Sequence, residues 1–312
     1  MSVRAGGCNA AAVPIRTHIA AACAALAAVL AAGCGGTGAA SQAAAPVPTV
    51  DRFDAARAWS DLRMQVALGP RPAGSPASRA LAGRLRRALP SGRFEPVPGG
   101  LRNVSGSLPG RGRAILVAAH YDTKDIPGFV GANDGAGGVA TVLEVARALR
   151  RAGGPACQRR VRFVMLDGEE SPGPGDGGDF ARTGLRGSRA DAARTADRLH
   201  RVIVVDFVAD ADLSLPLEAL SDPALWARLR AAAGRVGVGR VFPDRVAPGV
   251  LDDHIPYRER GVPAIDLIDF DYPPWHTVRD DLDAVSPRSL DAAGEALVEM
   301  VRVMRRDTCP GA

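Results

Sequence analysis

Apolar and polar positions follow two periods along this chain. Over residues 51–67 and 75–89 apolar residues recur three and four apart, which predicts two amphipathic helices joined by the Gly/Pro turn LGPRPAGSP. Short strand-like runs follow at 92–97, 102–108 and 114–119. Asp134 opens a helical pattern that runs to about Arg151. The apolar runs VRFVML (161–166) and VIVVDF (202–207) read as buried strands, with a loop and a helix between them. A helix at 222–234, a short helix near 254–260, a strand at 263–268 and a final helix at 287–306 complete the pattern, without internal repeats. Short apolar strands alternating with helices predict a single α/β domain whose central, largely parallel β-sheet is flanked by helices on both faces. In such sheets the ligand crevice lies beyond the carboxyl ends of the strands.

The first fifty residues follow neither period. Residues 1–33 carry Arg4 and Arg16, no acid, and an Ala-rich apolar stretch from Ile19 to Ala32, too short to span a bilayer. They read as a signal peptide ending Leu30-Ala31-Ala32-Gly33-Cys34, small residues before a cysteine as in a bacterial lipoprotein site. An ordinary secretory signal is the alternative. Residues 34–50, with the small polar run GGTGAASQAAAPVP, read as a flexible tether to a catalytic domain at 51–312. Both readings place the domain outside the cytoplasm, anchored to a membrane through lipid on Cys34 or else secreted. Cleavage removes Cys8 and Cys23 and leaves Cys157 and Cys309, either paired or as two thiols.

Composition narrows the function. With 46% hydrophobic and 23% charged residues the chain is an ordinary globular protein. Aromatic residues are only 4%, too few for a surface of stacked bases. The net charge of +5 comes from arginine, for Lys124 is the one lysine, and no dense basic run marks a nucleic-acid footprint.

The candidate chemistry gathers at the strand ends. His120 and Asp122 follow the strand at 114–119, and Asp134 sits in GANDG. Glu169 and Glu170 follow 161–166, Asp206 closes the 202 strand, and Asp252, Asp253 and His254 precede the short helix. Trp275 and His276 follow 263–268. Each alone has a plain structural role: Asp134 as a helix N-cap, the glutamates as solvated loop acids, Asp206 as a hydrogen-bonded structural acid, His276 as a surface histidine. Together at one sheet edge they repel one another unless a cation compensates. Histidine with carboxylates and no thiolate suits zinc with an open coordination position. Adjacent glutamates leaving a strand point different ways, so one can ligate while the other carries a proton.

These residues resemble a known family. LGPRPAGS (68–75), AHYDTK (119–124), FVGANDGAGG (129–138), DGEE (167–170), VVDF (204–207), DDHIPYRERGVPAIDLI (252–268) and WHT (275–277) together are similar to the glutaminyl cyclases (glutaminyl-peptide cyclotransferases) and, more distantly, to the zinc aminopeptidases of the same fold. The resemblance implies a mixed sheet with helices on both sides and one zinc ion held by Asp134, Glu170 and His276. It implies Glu169 as general acid/base, Asp206 and Asp252 as acids around the reacting centre, Trp275 as part of the substrate wall, and Asp122 and Asp253 as acids supporting the metal or its ligands. The partner is then the N-terminus of a peptide or protein, whose glutamine closes to pyroglutamate with release of ammonia. Two positions depart from the family pattern. Ser171–Gly178 holds no aromatic residue, and Asp266 stands where the family has a histidine. Hydrolysis is the competing activity, because His120 and Asp206, with Asp134 bridging, match the further ligands of a two-zinc aminopeptidase. A lipoprotein that binds peptides without turnover is a third reading.

Overall fold

The computed structural model describes residues 44–175 and 179–310. The signal segment and Cys34 lie outside the described residues, as does the tether up to residue 43. The rest of the tether is docked: Ala45 is buried, Val50 packs on the core, and the Thr49 N–H donates to Val236 O at 2.9 Å. Apolar side chains within this segment find core to bury against, so here it does not behave as a free linker.

Six strands form the main sheet: β1 (Arg93–Val97), β2 (Leu101–Leu108), β3 (Arg111–His120), β4 (Arg159–Leu166), β5 (Leu199–Val205) and, after a short parallel pair β6 (Leu217–Glu218) and β7 (Val246–Ala247), β8 (Ala264–Leu267). Their order is β1-β2-β4-β3-β5-β8. β4, β3, β5 and β8 run parallel, while β2 is antiparallel to both β1 and β4, so the sheet is mixed and mostly parallel. The β6–β7 pair is too short to leave a period in the sequence.

The helices are α1 (Ala55–Val66), α2 (Pro76–Ala88), α3 (Gly138–Ala152), α4 (Phe180–Thr183), α5 (Arg186–Thr195), α6 (Pro223–Arg235), α7 (Ile255–Arg258) and α8 (Pro287–Arg306). Period-two alternation in the strands serves two cores. Ile115, Val117, Phe163, Met165, Ile203 and Val205 face α1, α2, α3, α6 and α8. Leu116, Ala118, Val164, Leu166, Val202 and Val204 face Ala192 of α5 and Tyr257 of α7. Cys157, just before β4, is disulfide-bonded to Cys309, just after α8.

The segment after β3 departs from expectation. Asp134 does not open a regular helix; α3 begins at Gly138, and residues 132–137 form a kinked turn with Asp134 at ψ 95° and Gly135 at φ 92°. Nor is Asp134 an N-cap: Gly137 precedes α3, no side chain caps it, and the Asp134 N–H is itself held by the Asp280 carboxylate at 3.0 Å. Gly135 supplies the left-handed backbone that the kink needs. Gly138 lets α3 approach β5, where a Cβ would lie 2.1 Å from Val205 O.

Candidate metal centre and active-site cavity

β3 and β5 are neighbours whose onward connections leave in opposite directions, to β4 and to β8. A crevice opens at that switch point beyond the carboxyl ends. His120 closes β3, Asp206 follows β5, and the turn after β4 supplies Glu169 and Glu170. Asp134 reaches in from the kinked turn, Asp252 from the loop before α7, and Trp275 and His276 from the loop before α8.

Two clusters share one carboxylate. Asp134, Glu170 and His276 bring one ligand atom each to within 4.8 Å of one another, and so do His120, Asp134 and Asp206. His276 Nε2 lies 3.2 Å from Glu170 Oε1 and 3.6 Å from Asp134 Oδ2. His120 Nε2 lies 3.2 Å from Asp134 Oδ1 and 3.4 Å from Asp206 Oδ1, without hydrogen-bond geometry to either. The His120 ring nitrogens and Asp134 Oδ2 are thus buried without a hydrogen-bond partner, and orphaned buried polar atoms of this kind ask for a missing one. Imidazole and carboxylate donors fit a divalent cation of zinc's type.

Surrounding groups hold this arrangement. The Asp122 carboxylate accepts the backbone N–H groups of Gly168, Glu169 and Glu170 at 2.9, 3.2 and 3.2 Å, which fixes the turn carrying the two glutamates. The Asp280 carboxylate does the same for the Asp134 turn, accepting from Asn133 N and Asp134 N, and is held by the Tyr272 hydroxyl at 2.7 Å. The fully buried Arg71 guanidinium donates to Gln65 O, Gly69 O and Val130 O, and burial pulls it down to about 10. Lys124 Nζ stands 3.5 Å from Glu170 Oε2. Asp280 and Arg71 were not singled out from sequence. Asp280 is one of several acids in VRDDLDAVS, with nothing there to distinguish it, whereas a lone lysine in an arginine-rich chain is a readable signal.

Crowded acids in low dielectric raise one another. Burial, then Glu170, pushes Glu169 well above the ordinary carboxylate range. Burial takes Asp206 up to about 7, and burial with Glu170 takes Asp134 up to about 6. Burial alone would lower His120, but Asp206, Asp122 and Asp134 outweigh it and hold the imidazole well above its usual value. A cation at the clusters would relieve this strain by favouring the ionised carboxylates.

A cavity of about 230 Å³ opens onto Asp134, Glu169, Glu170, Asp206, Asp252 and His276. Its apolar wall includes Phe207, Ile268, Phe270 and Trp275, with Lys124 and Phe180 also lining it. Trp275 stacks on His276 with ring centroids 4.4 Å apart and leans on Phe270 at 5.1 Å. His276 takes a left-handed backbone (φ 51°), which a non-glycine residue adopts only when its surroundings impose it. Phe180 supplies an aromatic ring from just beyond the aromatic-free segment noted above. Asp253 and Asp266 are fully buried but do not line the cavity. Asp266 lies 3.8 Å from His254 Nδ1, whose Nε2 stands 3.2 Å from Glu218.

Solved structures share this fold. A glutaminyl cyclase from an Acidobacteriales bacterium superposes with a TM-score of 0.70 at 30% identity, over 83% of this chain and 97% of that one. A leucine aminopeptidase precursor from Bacteroides thetaiotaomicron gives 0.70 at 25% identity, over 82% and 99%. Among curated proteins, a glutaminyl-peptide cyclotransferase-like protein of Bos taurus is 34% identical over 218 residues. That match takes in 58% of this chain but only 55% of the relative, so the chain spans about half of that relative's length. The sequence pattern of peptidase family M28 matches residues 103–301, a stretch from β2 into α8 that holds every side chain of both clusters, and the chain belongs to that family.

Proposed function

We propose that this chain is a zinc-dependent glutaminyl-peptide cyclotransferase, acting outside the cytoplasm and tethered there by lipid on Cys34. One observation carries the reading: an apolar pocket walled by Trp275 and Phe270 sits over Asp134, Glu170 and His276, with Glu169 and Asp252 facing the same space. The similarity to glutaminyl cyclases supports it.

Asp134, Glu170 and His276 would hold the ion, which would supply Lewis acidity toward the carbonyl of the glutamine side chain. The apolar wall receives the glutamine methylenes and excludes water. Asp206 and Asp252 line the same cavity and would accept hydrogen bonds from the substrate's amino group. The α-amine bonds to the side-chain carbonyl carbon, the carbon–nitrogen bond of the amide breaks, and a five-membered lactam forms. Glu169 takes the proton released by the amine and delivers it to the departing nitrogen, which leaves as ammonia. Nucleophile and electrophile belong to one molecule, so the residues mainly hold the near-attack geometry. A carboxyl group raised by burial suits a proton carrier near neutral pH.

The second reading is hydrolysis of N-terminal residues, favoured by the His120, Asp134 and Asp206 cluster, which offers a site for a second ion. Incubation of the purified protein with a glutaminyl peptide and with an aminoacyl-anilide separates the two. Ammonia release without shortening of the peptide is expected. Amine released from the anilide would overturn the proposal in favour of the peptidase.

A further inference from the structure

A second cavity adjoins the first. It measures about 510 Å³ and shares Val250, Leu251, Ile268 and Phe270 with the catalytic cavity as a common wall. Its own floor is apolar, from Pro216, Ala247, Pro248 and Gly249. The charged groups bordering it are largely engaged. Glu218 accepts from Leu220 N, Val250 N and Ser221 Oγ at 2.8 Å each, and Asp269 accepts from Ser214 N at 2.6 Å. Arg245 and Asp271 stand at the exposed edge.

Exposed large apolar side chains gather along the same path. Among the described residues nine are exposed, and four of them (Leu220, Leu251, Phe270 and Trp275) lie on or beside the two cavities. Leu251 and Phe270 belong to both cavities, Trp275 leans on Phe270, and Leu220 packs over Gly249. A continuous apolar patch on a protein's surface marks a place where something binds. A peptide whose first residue occupies the catalytic cavity must send its second residue outward, and a residue of extended chain advances only about 3.3 Å. The adjoining cavity is the neighbour of the first along that route, because Val250, Leu251, Ile268 and Phe270 border both.

We infer that the cavity beyond Leu251 and Phe270 is the subsite for the residue following the N-terminal one, and that it selects peptides with a large apolar second side chain. The inference rests on the cyclase reading and deepens it. Burial of a leucine or phenylalanine side chain gives on the order of a ten- to hundredfold gain in kcat/KM over glycine at that position.

The test follows ammonia release from glutamine amide and from the tripeptides Gln-Gly-Ala, Gln-Leu-Ala, Gln-Phe-Ala and Gln-Lys-Ala. The leucine and phenylalanine peptides should exceed the glycine peptide about tenfold or more, chiefly through KM. Ala247→Asp, which puts a carboxylate into the second cavity, should abolish that preference and favour the lysine peptide. Leu220→Ser, at an exposed position, should narrow the preference without endangering the fold. Turnover of glutamine amide with a flat tripeptide series would overturn the subsite and leave the cyclase reading standing. So would a leucine and phenylalanine preference that both variants retain. Free amino acid in place of ammonia would overturn the reading of the site itself, and with it a subsite for glutaminyl peptides.

Discussion

Asp280 holds the carboxylate that both clusters share, and its loss should be felt in stability and metal binding together. Its side chain accepts Asn133 N at 2.8 Å, Asp134 N at 3.0 Å and the Tyr272 hydroxyl at 2.7 Å, all within the buried interior. Asp280→Ala leaves two backbone N–H groups without an acceptor, at about 1–3 kcal/mol each. Part of that is returned, because burial disfavours the Asp280 carboxylate itself. The balance predicts a loss of about 3 kcal/mol for Asp280→Ala and about 2 kcal/mol for Asp280→Asn, whose amide keeps one acceptor oxygen but turns a donor toward the other N–H. The freed turn no longer presents Asp134 in one orientation, so zinc affinity should fall by about 10–100-fold. Urea denaturation of the metal-free protein measures the first quantity, and competition with a chelator of known affinity the second. Asp283→Asn, at an exposed position four residues before α8, is the control. Losses under about 1 kcal/mol with unchanged zinc affinity would refute the claim that Asp280 shapes the site.

Glu169→Gln should retain zinc and lose turnover by about 10²–10⁴-fold, read from metal content and ammonia release, since only proton transfer is removed. On the far edge of the sheet, burial pushes Glu95 up, but Arg162, Ser105 and Arg93 outweigh it and hold the carboxyl at about 2. A carboxyl lowered on folding contributes stability above its unfolded value of 4.5, lost as the pH falls from there toward 2. Glu95→Gln should flatten that stretch of the stability–pH curve, and an unchanged slope would contradict the pairing. Reduction of Cys157–Cys309, which spans 152 residues of chain, should cost about 2–5 kcal/mol by calorimetry or denaturant titration.

The fold was legible because its central strands bury both faces. VRFVML and VIVVDF carry apolar residues at both alternating sets of positions, broken only by Arg162, which pairs with the Asp191 carboxylate, and by Asp206 at a strand end, and so read as interior strands between helical layers. Boundaries slipped where tertiary contacts overrule local pattern. From Asp134 onward the sequence reads as a helix, but Asp280, 146 residues away in sequence from Asp134, takes the N–H groups of Asn133 and Asp134 and holds residues 132–137 in a kinked turn. Docking of residues 45–50 was invisible for a related reason. Ala45 and Val50 are too few to give a period, and only the finished surface offers them a place to bury.

The reactive side chains were easier to find than their supports, and charge explains the difference. A carboxylate or imidazole placed where several others converge is costly, so a sequence carrying Asp134, Glu169, Glu170, Asp206 and His276 at one sheet edge signals that something offsets the cost. Asp122, named as a support from sequence only through the family resemblance, and Asp280, not named at all, work instead by accepting backbone N–H groups, and any buried acid near a turn could do that. Their partners are main-chain atoms, which leave no trace in residue identity. Asp134 joins the two classes: its N–H is fixed by Asp280, while its oxygens face His120 on one side and His276 on the other. Both clusters therefore depend on the position of one backbone turn. A shift there would disturb the ligand shared by His120 and Asp206 as much as that shared by Glu170 and His276, so the two potential ion sites cannot be tuned independently.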